Sequence, residues 1–252
     1  MTETYKRHLG FKSVTNFRDI GGYRTRQGHT VAWRRVFRSG EFRHLTRNEF
    51  QKIMEEIKLT SVIDLRSAFE IEWQGNGLLA EADIRYHNVS FIADGGDREA
   101  NERRYKELNN MGEFYVQLIR YKDYGKRIVE ALEIIAEPKN HPLVFHCAVG
   151  KDRTGILAAV LLSVLGVEDK DVIEDYSLSG PYMVELLKTI NNDPEIAGAV
   201  KALPDYFWKA SPESMALLLT TFRQEYGSIE AYLKDMGMEK TLPERLEKAL
   251  LV

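Results

Sequence analysis

The chain has one cysteine, Cys147, among its 252 residues. A single thiol excludes an intramolecular disulfide and a cysteine-rich zinc site. It fits a reducing compartment, so a cytoplasmic location is the expectation. Long apolar runs are also scarce. The best, Ile156–Leu165, falls far short of the roughly 18–20 residues that span a bilayer, and no integral membrane association is expected. The first residues, Met1-Thr2-Glu3-Thr4-Tyr5-Lys6, lack the apolar stretch of a classical signal peptide, although export by another route stays open. Neither charge sign dominates: 35 Lys+Arg stand against 38 Asp+Glu, a net charge of −3. Dedicated nucleic-acid binders usually carry a strongly basic face, so no nucleic-acid partner is expected. Repeats of fixed period, low-complexity tracts and long Pro/Gly/Ser linkers are missing too.

What is present is a large supply of core. Hydrophobic residues make up 44% of the chain, and it has 11 Phe and 12 Tyr, enough to offset ordering entropy. We expect one domain over 1–252, with a core of about 14–178 and a helical part of about 179–252. Trp33–Arg38, Thr60–Leu65 and Asp83–Ser90 read as strands, being β-branched or aromatic and bounded by turn or polar residues. Arg47–Ile57 reads as a helix. Thr46 is its N-cap, Glu49 completes a capping box, and Phe50, Ile53, Met54 and Ile57 share a face. A long helical stretch of about 99–136, with breaks near Asn109–Gly112 and Tyr124-Gly125, ends at Pro138. Pro142–His146 then reads as a buried central strand, and Gly155–Leu165, apolar almost all round, as a buried helix.

Further helices are expected at about 169–177, 181–190, 213–226, 228–235 and 242–250. Ser211-Pro212 opens one, and a second capping box, Thr241 with Glu244, opens another. Tyr206-Phe207-Trp208 is either core or a flap over a pocket, with core the commoner role for such residues. The fold class is therefore α/β: a mostly parallel central sheet flanked by helices, with a C-terminal helical segment in which 180–210 is either lid or core. Such sheets bind ligands at the carboxyl ends of their strands.

The chemistry concentrates in His146-Cys147-Ala148-Val149-Gly150-Lys151-Asp152-Arg153-Thr154-Gly155. Taken singly, a lone cysteine is usually a small buried hydrophobe and an arginine a surface residue. Together they mean more. Cys147 ends a buried strand, and Arg153 opens a buried helix after a short loop containing Gly150. Such a loop can turn the N–H groups of Ala148, Val149, Gly150 and Lys151 inward as an anion nest. The helix N-terminus adds free N–H groups and positive potential. Arg153 supplies a planar two-pronged donor for phosphate oxygens. The same field favours a thiolate at Cys147. A thiolate beneath a bound phosphate is an in-line nucleophile and needs no metal or other cofactor. Thr154 is placed to steady the sulfur, His146 to orient the loop, and Lys151 to add charge near the phosphate.

Cys-x5-Arg-Thr resembles the signature of the cysteine-based protein tyrosine phosphatase superfamily. The longer His-Cys-x-x-Gly-Lys-Asp-Arg-Thr-Gly resembles that of the bacterial tyrosine/lipid, or triple-specificity, phosphatases. Asn16-Phe17-Arg18-Asp19-Ile20-Gly21-Gly22-Tyr23, Val36-Phe37-Arg38-Ser39-Gly40, Asp64-Leu65-Arg66-Ser67 and Glu225-Tyr226-Gly227-Ser228 extend the likeness over about residues 14–236. It implies a tyrosine-phosphatase-like fold and a phosphomonoesterase acting on phosphotyrosine proteins, with phosphoserine, phosphothreonine and phosphoinositides as further substrates. Lys151 is the residue that would meet a second phosphate of an inositol headgroup.

Three sources compete for the general acid. The resemblance implies Asp152, inside the loop. Asp94 and Asp97 lie on a glycine-containing loop of the kind that moves. Asp64 ends a strand, where orienting Arg66 or the loop is its more natural task. Asn16, Arg18 and Asp19 read as a turn with a buried ion pair. Arg34, Arg35 and Arg38 are either a basic rim or simply solvated. Two other functions compete with the phosphatase. Thiol-relay arsenate reduction needs cysteines this chain lacks, and a sulfurtransferase loop has no need of Arg153. A silent phosphate-binding module would usually have lost Cys147 or Arg153. With no second cysteine to protect Cys147, peroxide inactivation should be reversed by thiols only before sulfinic acid forms. Activity recovered after brief and prolonged peroxide exposure checks this; full recovery after the prolonged treatment would contradict it.

Overall fold

Five strands form one sheet in the computed structural model, which describes residues 5–91, 105–191 and 203–252. They are β1 (Arg18–Asp19), β2 (Val36–Ser39), β3 (Ser61–Asp64), β4 (Arg85–Asn88) and β5 (Leu143–His146). The order is β1-β2-β5-β3-β4; β1 runs antiparallel to β2 and every other pair is parallel. β5 lies between β2 and β3, with Val144 opposite both Phe37 and Val62. Side chains alternate across a strand. Phe37, Val62 and Val144 therefore enter one buried cluster with Val14, Phe17, Phe42, Ile53 and Ile57. Val36, Ile63, Leu143 and Phe145 enter the larger one on the other face.

The helices are α1 (Arg47–Lys52), α2 (Ala68–Gln74), α3 (Met111–Arg120), α4 (Lys122–Ile135), α5 (Asp152–Val164), α6 (Asp169–Ser177), α7 (Gly180–Asn191), α8 (Pro212–Tyr226), α9 (Ile229–Asp235) and α10 (Leu242–Leu250). α5 is buried nearly all round, packed among the sheet, α4, α6 and α9. Residues of α8, α9 and α10 share the larger cluster with the sheet, so the last helices complete the same core.

Several local expectations change. The strand expected from Trp33 begins only at Val36, because Arg34 sits at φ 60° and donates its N–H to Asp19 Oδ2 at 2.7 Å, turning the chain. α1 passes into a π-helical turn at Ile53–Ile57, closed by Lys58 at φ 58°. Only half of its capping box forms. Thr46 accepts the Glu49 N–H, but the Glu49 carboxylate takes the N–H groups of Lys12 and Ser13 instead. Thr241 makes no side-chain cap. The stretch expected at 99–136 is split at Tyr121 into α3 and α4, and residues 99–104 of it lie outside the described residues. α5 starts three residues before Gly155, at Asp152. α2, the 3-10 turn Gly77–Glu81 and β1 were not anticipated.

A buried charge cluster ties the chain's first motif to α6. Arg18, Arg38 and Asp175 are each 1% exposed or less. Arg18 Nε donates to Asp175 Oδ1 at 3.3 Å, and Arg38 Nη1 donates to Oδ2. Arg38 is thus no part of a basic rim, and Arg18 pairs with a distant aspartate rather than with Asp19. Burial alone would push the Asp175 carboxyl up; Arg18 and Arg38 outweigh it and hold the group well below the usual carboxylate range. Below about pH 4 the unfolded chain takes up this proton and the folded one does not, so the stabilisation present at neutral pH is lost as pH falls. Asp175→Asn should cost about 3–5 kcal/mol at pH 7, because two buried cations lose their partner. Urea unfolding at several pH values should also show a shallower acid limb for the variant than for the wild type.

Candidate active site

The loop Cys147–Lys151 joins β5 to α5 at the carboxyl end of the sheet. Cys147 is 2% exposed. The loop carbonyls are taken from outside. The Cys147 oxygen lies 3.2 Å from His146 Nδ1. Glu41 N–H donates to Ala148 O at 3.0 Å. Asn16 Nδ2 donates to Gly150 O at 2.8 Å and, more loosely, to Val149 O at 3.5 Å. Arg38 Nη2 also reaches Gly150 O, at 2.9 Å. In a trans peptide the next N–H points opposite to the carbonyl. Four carbonyls held outward therefore turn the N–H groups of Ala148, Val149, Gly150 and Lys151 the other way, as an anion nest requires. Gly150 is at φ 71°, and a Cβ there would stand 2.5 Å from the Ser39 backbone, so this position requires glycine. Asn16 itself sits at φ 62°, the backbone state that aims its amide at the loop.

Arg153 is gripped by Glu70 of α2. Nη1 and Nη2 each donate to one carboxylate oxygen at 2.7 Å, and Nη1 also approaches Leu65 O at 3.4 Å. A guanidinium has five N–H groups. These contacts use both on Nη1 and one on Nη2. The Nε–H and the second Nη2–H, which share one edge, have no partner among the described residues: a second fork, open for phosphate oxygens. Burial alone would weaken the guanidinium charge, but Cys147 and Glu70 outweigh it and hold Arg153 firmly protonated. Sequence reasoning missed Glu70, although its signal was legible. Ser67 and Glu70 form a complete capping box, the pattern already used at Thr46.

Asp152 opens α5, and its Oδ1 accepts from Tyr115 Oη at 2.5 Å. Asp64 is placed differently. It is fully buried, accepts from Arg66 Nε and Nη2 at 3.0 and 2.7 Å and from Tyr86 Oη at 2.7 Å, and lies 3.6 Å from His146 Nε2. Burial pushes its carboxyl up, but His146, Arg66 and Tyr86 together hold it below the usual value, as a carboxylate. Burial lowers the His146 pKa, opposed in part by the Asp64 carboxylate beside it. Asp94 and Asp97 lie outside the described residues. Lys151 is fully buried, and its ammonium donates to the carbonyls of Phe207 and Lys209, with Asp152 Oδ1 3.4 Å away. It serves the 3-10 turn Asp205–Trp208, not the mouth of the site. Thr154 is buried, and its hydroxyl has no hydrogen-bond partner among the described residues.

Above the loop opens a cleft of about 970 Å³. Ala148, Val149, Lys151, Asp152 and Arg153 line it at the base; Phe11, Met111, Phe114, Phe207 and Trp208 give it apolar walls. In the aromatic cluster 206–208, all half-buried, Phe207 and Trp208 line the cleft, while Tyr206 and Phe207 pack against the larger core cluster. Among the described residues, no group of three or more His, Cys, Asp or Glu side chains is set to hold a metal ion. No helix there is long and apolar enough to cross a membrane.

The chain is similar in sequence to known proteins. The chain is 26% identical over 275 residues to the triple specificity protein phosphatase PtpB of Mycobacterium tuberculosis, covering 94% of this chain and 96% of that one. It is 28% identical over 196 residues to a tyrosine-protein phosphatase of Nostoc commune, covering 75% of this chain and 65% of that one. A solved structure of the core catalytic domain of the PP-IP phosphatase SIW14 from S. cerevisiae aligns with a TM-score of 0.37 at 19% identity, over 57% of this chain and 70% of that one. The sequence model of the Tyrosine phosphatase family matches residues 9–252. The chain belongs to the tyrosine phosphatase family, the cysteine-based phosphoric monoester hydrolases.

Proposed function

We propose that this chain, as a single catalytic domain, hydrolyses phosphotyrosine in proteins through a phosphocysteine at Cys147. Phosphoserine, phosphothreonine and phosphoinositide monoesters are further substrates of the same loop. The observation that carries the reading is the fork of Arg153 left open among the described residues, beside a buried Cys147 and a loop whose four carbonyls from Cys147 to Gly150 are taken from outside. The N–H groups of Ala148, Val149, Gly150 and Lys151 and that fork hold the three non-bridging phosphate oxygens. Thiolate Sγ attacks phosphorus in line, the bond to the ester oxygen breaks, and Asp152 protonates that oxygen as it leaves. Water then attacks the phosphocysteine, Asp152 takes its proton, and the P–S bond breaks to return the thiolate. The Thr154 hydroxyl, without a hydrogen-bond partner among the described residues, is available to that sulfur. The apolar cleft walls suit an aromatic phosphoester, and the size of the cleft leaves room for larger ones. The relatives' names support the same range, since one is a triple specificity phosphatase. The nucleophile must stay reduced, which supports work in a reducing compartment.

Phosphate release from a phosphotyrosine peptide and a phosphoinositide panel, with Cys147→Ser as blank, tests this. Turnover on both sets is expected. Turnover on the peptide alone would remove the lipid part, and turnover surviving in Cys147→Ser would overturn the mechanism. Asp152→Asn should flatten the pH dependence on poor leaving groups; an unchanged profile would remove Asp152 from the acid role. Glu70 touches no substrate and works by positioning Arg153. Bonds to charged groups are worth about 1.5–3 kcal/mol, so Glu70→Ala should lower kcat/KM by about 10- to 100-fold. Glu70→Gln, which keeps one acceptor, should recover part of that loss.

A further inference from the structure

An acid that must deliver one proton has two oxygens, and this structure treats the two of Asp152 differently. Among the described residues both contacts fall on Oδ1: the Tyr115 hydroxyl at 2.5 Å and the Lys151 ammonium at 3.4 Å. Tyr115 projects from α3 and is fully buried. Its oxygen lies 2.7 Å from that of Tyr176 on α6, also fully buried, and the two rings meet edge to face. A tyrosine hydroxyl carries one hydrogen. If Tyr115 gives its hydrogen to the carboxylate, its oxygen must accept from Tyr176. Donation therefore runs from Tyr176 to Tyr115 to Asp152 Oδ1.

We propose that Tyr115, backed by Tyr176, is a positioning residue for this phosphatase: it pins Oδ1 of Asp152 and leaves Oδ2 as the oxygen that carries the proton to and from the reacting group. The proposal rests on Asp152 as the general acid. A freely turning carboxyl would place its proton on either oxygen and face the ester only part of the time; a pinned one is pre-aimed. Burial pushes both tyrosines well above their ordinary value, so both stay protonated donors. Other charged or titratable groups near Asp152 are Lys151 and Arg153 beside it in the chain, Cys147 beneath the loop, and Tyr124 of α4. None of these is hydrogen-bonded to Oδ2 among the described contacts, so pinning falls to Tyr115 with Lys151 alongside.

Removing the Tyr115 bond leaves the carboxyl free to turn, which matters most where the leaving group needs a proton. The test compares Tyr115→Phe with wild type on an aryl phosphate with a good leaving group and an alkyl phosphate with a poor one. We expect kcat/KM on the alkyl ester to fall about ten- to a hundredfold, with little change on the aryl ester. In Asp152→Asn the added Tyr115→Phe change should have no further effect on leaving-group discrimination. Equal losses on both esters would overturn the proposal. If Asp152→Asn itself keeps the wild-type discrimination, the acid assignment fails and Tyr115 falls with it, a distinguishable result. Tyr176→Phe keeps the Tyr115–Asp152 bond but removes its backing, and should lower the alkyl-ester rate less, in the same direction. Should Tyr115→Phe fail to fold, unchanged leaving-group discrimination in Tyr176→Phe would overturn the proposal.

Discussion

The structure depends on one constraint: the carbonyls of the Cys147–Lys151 loop must face away from the phosphate. Every peptide has two polar ends, and only the N–H end attracts an anion. Holding the carbonyls outward requires donors behind the loop, and the chain brings them from far apart in sequence. Asn16 comes from before β1, Arg38 from β2, Glu41 from the turn after it, and His146 from β5 itself. The order β1-β2-β5-β3-β4 makes this possible, because it puts β2 beside β5. Arg38 could not be buried there alone. Asp175 offsets its charge, and Arg18 completes the cluster. A cluster of charge inside an α/β core thus follows from the need to bind charge at its edge.

The same logic divides the cations of the loop itself. Arg153 is shared: one edge of the guanidinium is held by Glu70, and the other has no partner among the described residues. A guanidinium that spent both edges on protein partners would bind no phosphate, and one that spent neither would wander. Lys151 is wholly committed, its ammonium bound to the carbonyls of Phe207 and Lys209. Its side chain joins the loop to the aromatic wall of the cleft, while its backbone N–H remains part of the nest. The aspartates divide in parallel. Asp64 is surrounded by donors and stays a carboxylate, whereas Asp152 lines the cleft and takes its contacts with the described residues on one oxygen.

Much of this was legible in the sequence, for physical reasons. β5, α5 and the loop between them were readable because apolar runs, a glycine and the Cys-x5-Arg spacing all coincide between Leu143 and Val164. The parallel sheet followed from alternating strands and helices. Glu70 was missed because its partner is 83 positions away, although Ser67-x-x-Glu70 marked the helix that carries it. Tyr115 was invisible for the same reason: a tyrosine on an amphipathic helix looks like core until Asp152 is found against it. The Thr241 capping box was overread, since the motif only permits a cap and the backbone must take the extended state to form it; Thr241 is helical instead. Arg38 was read as surface because a lone arginine in a strand does not announce Asp175, 137 positions later.

The central claim is that this loop turns Cys147 into a nucleophile toward phosphorus. The most direct measurement is acid quenching during turnover of a phosphotyrosine peptide, followed by mass analysis of the Cys147 peptide. The account predicts one phosphoryl group on Cys147 during turnover, lost on standing in buffer and never formed in Cys147→Ser. Turnover with no phosphoryl group on Cys147 at any time, and with activity kept in Cys147→Ser, would contradict it.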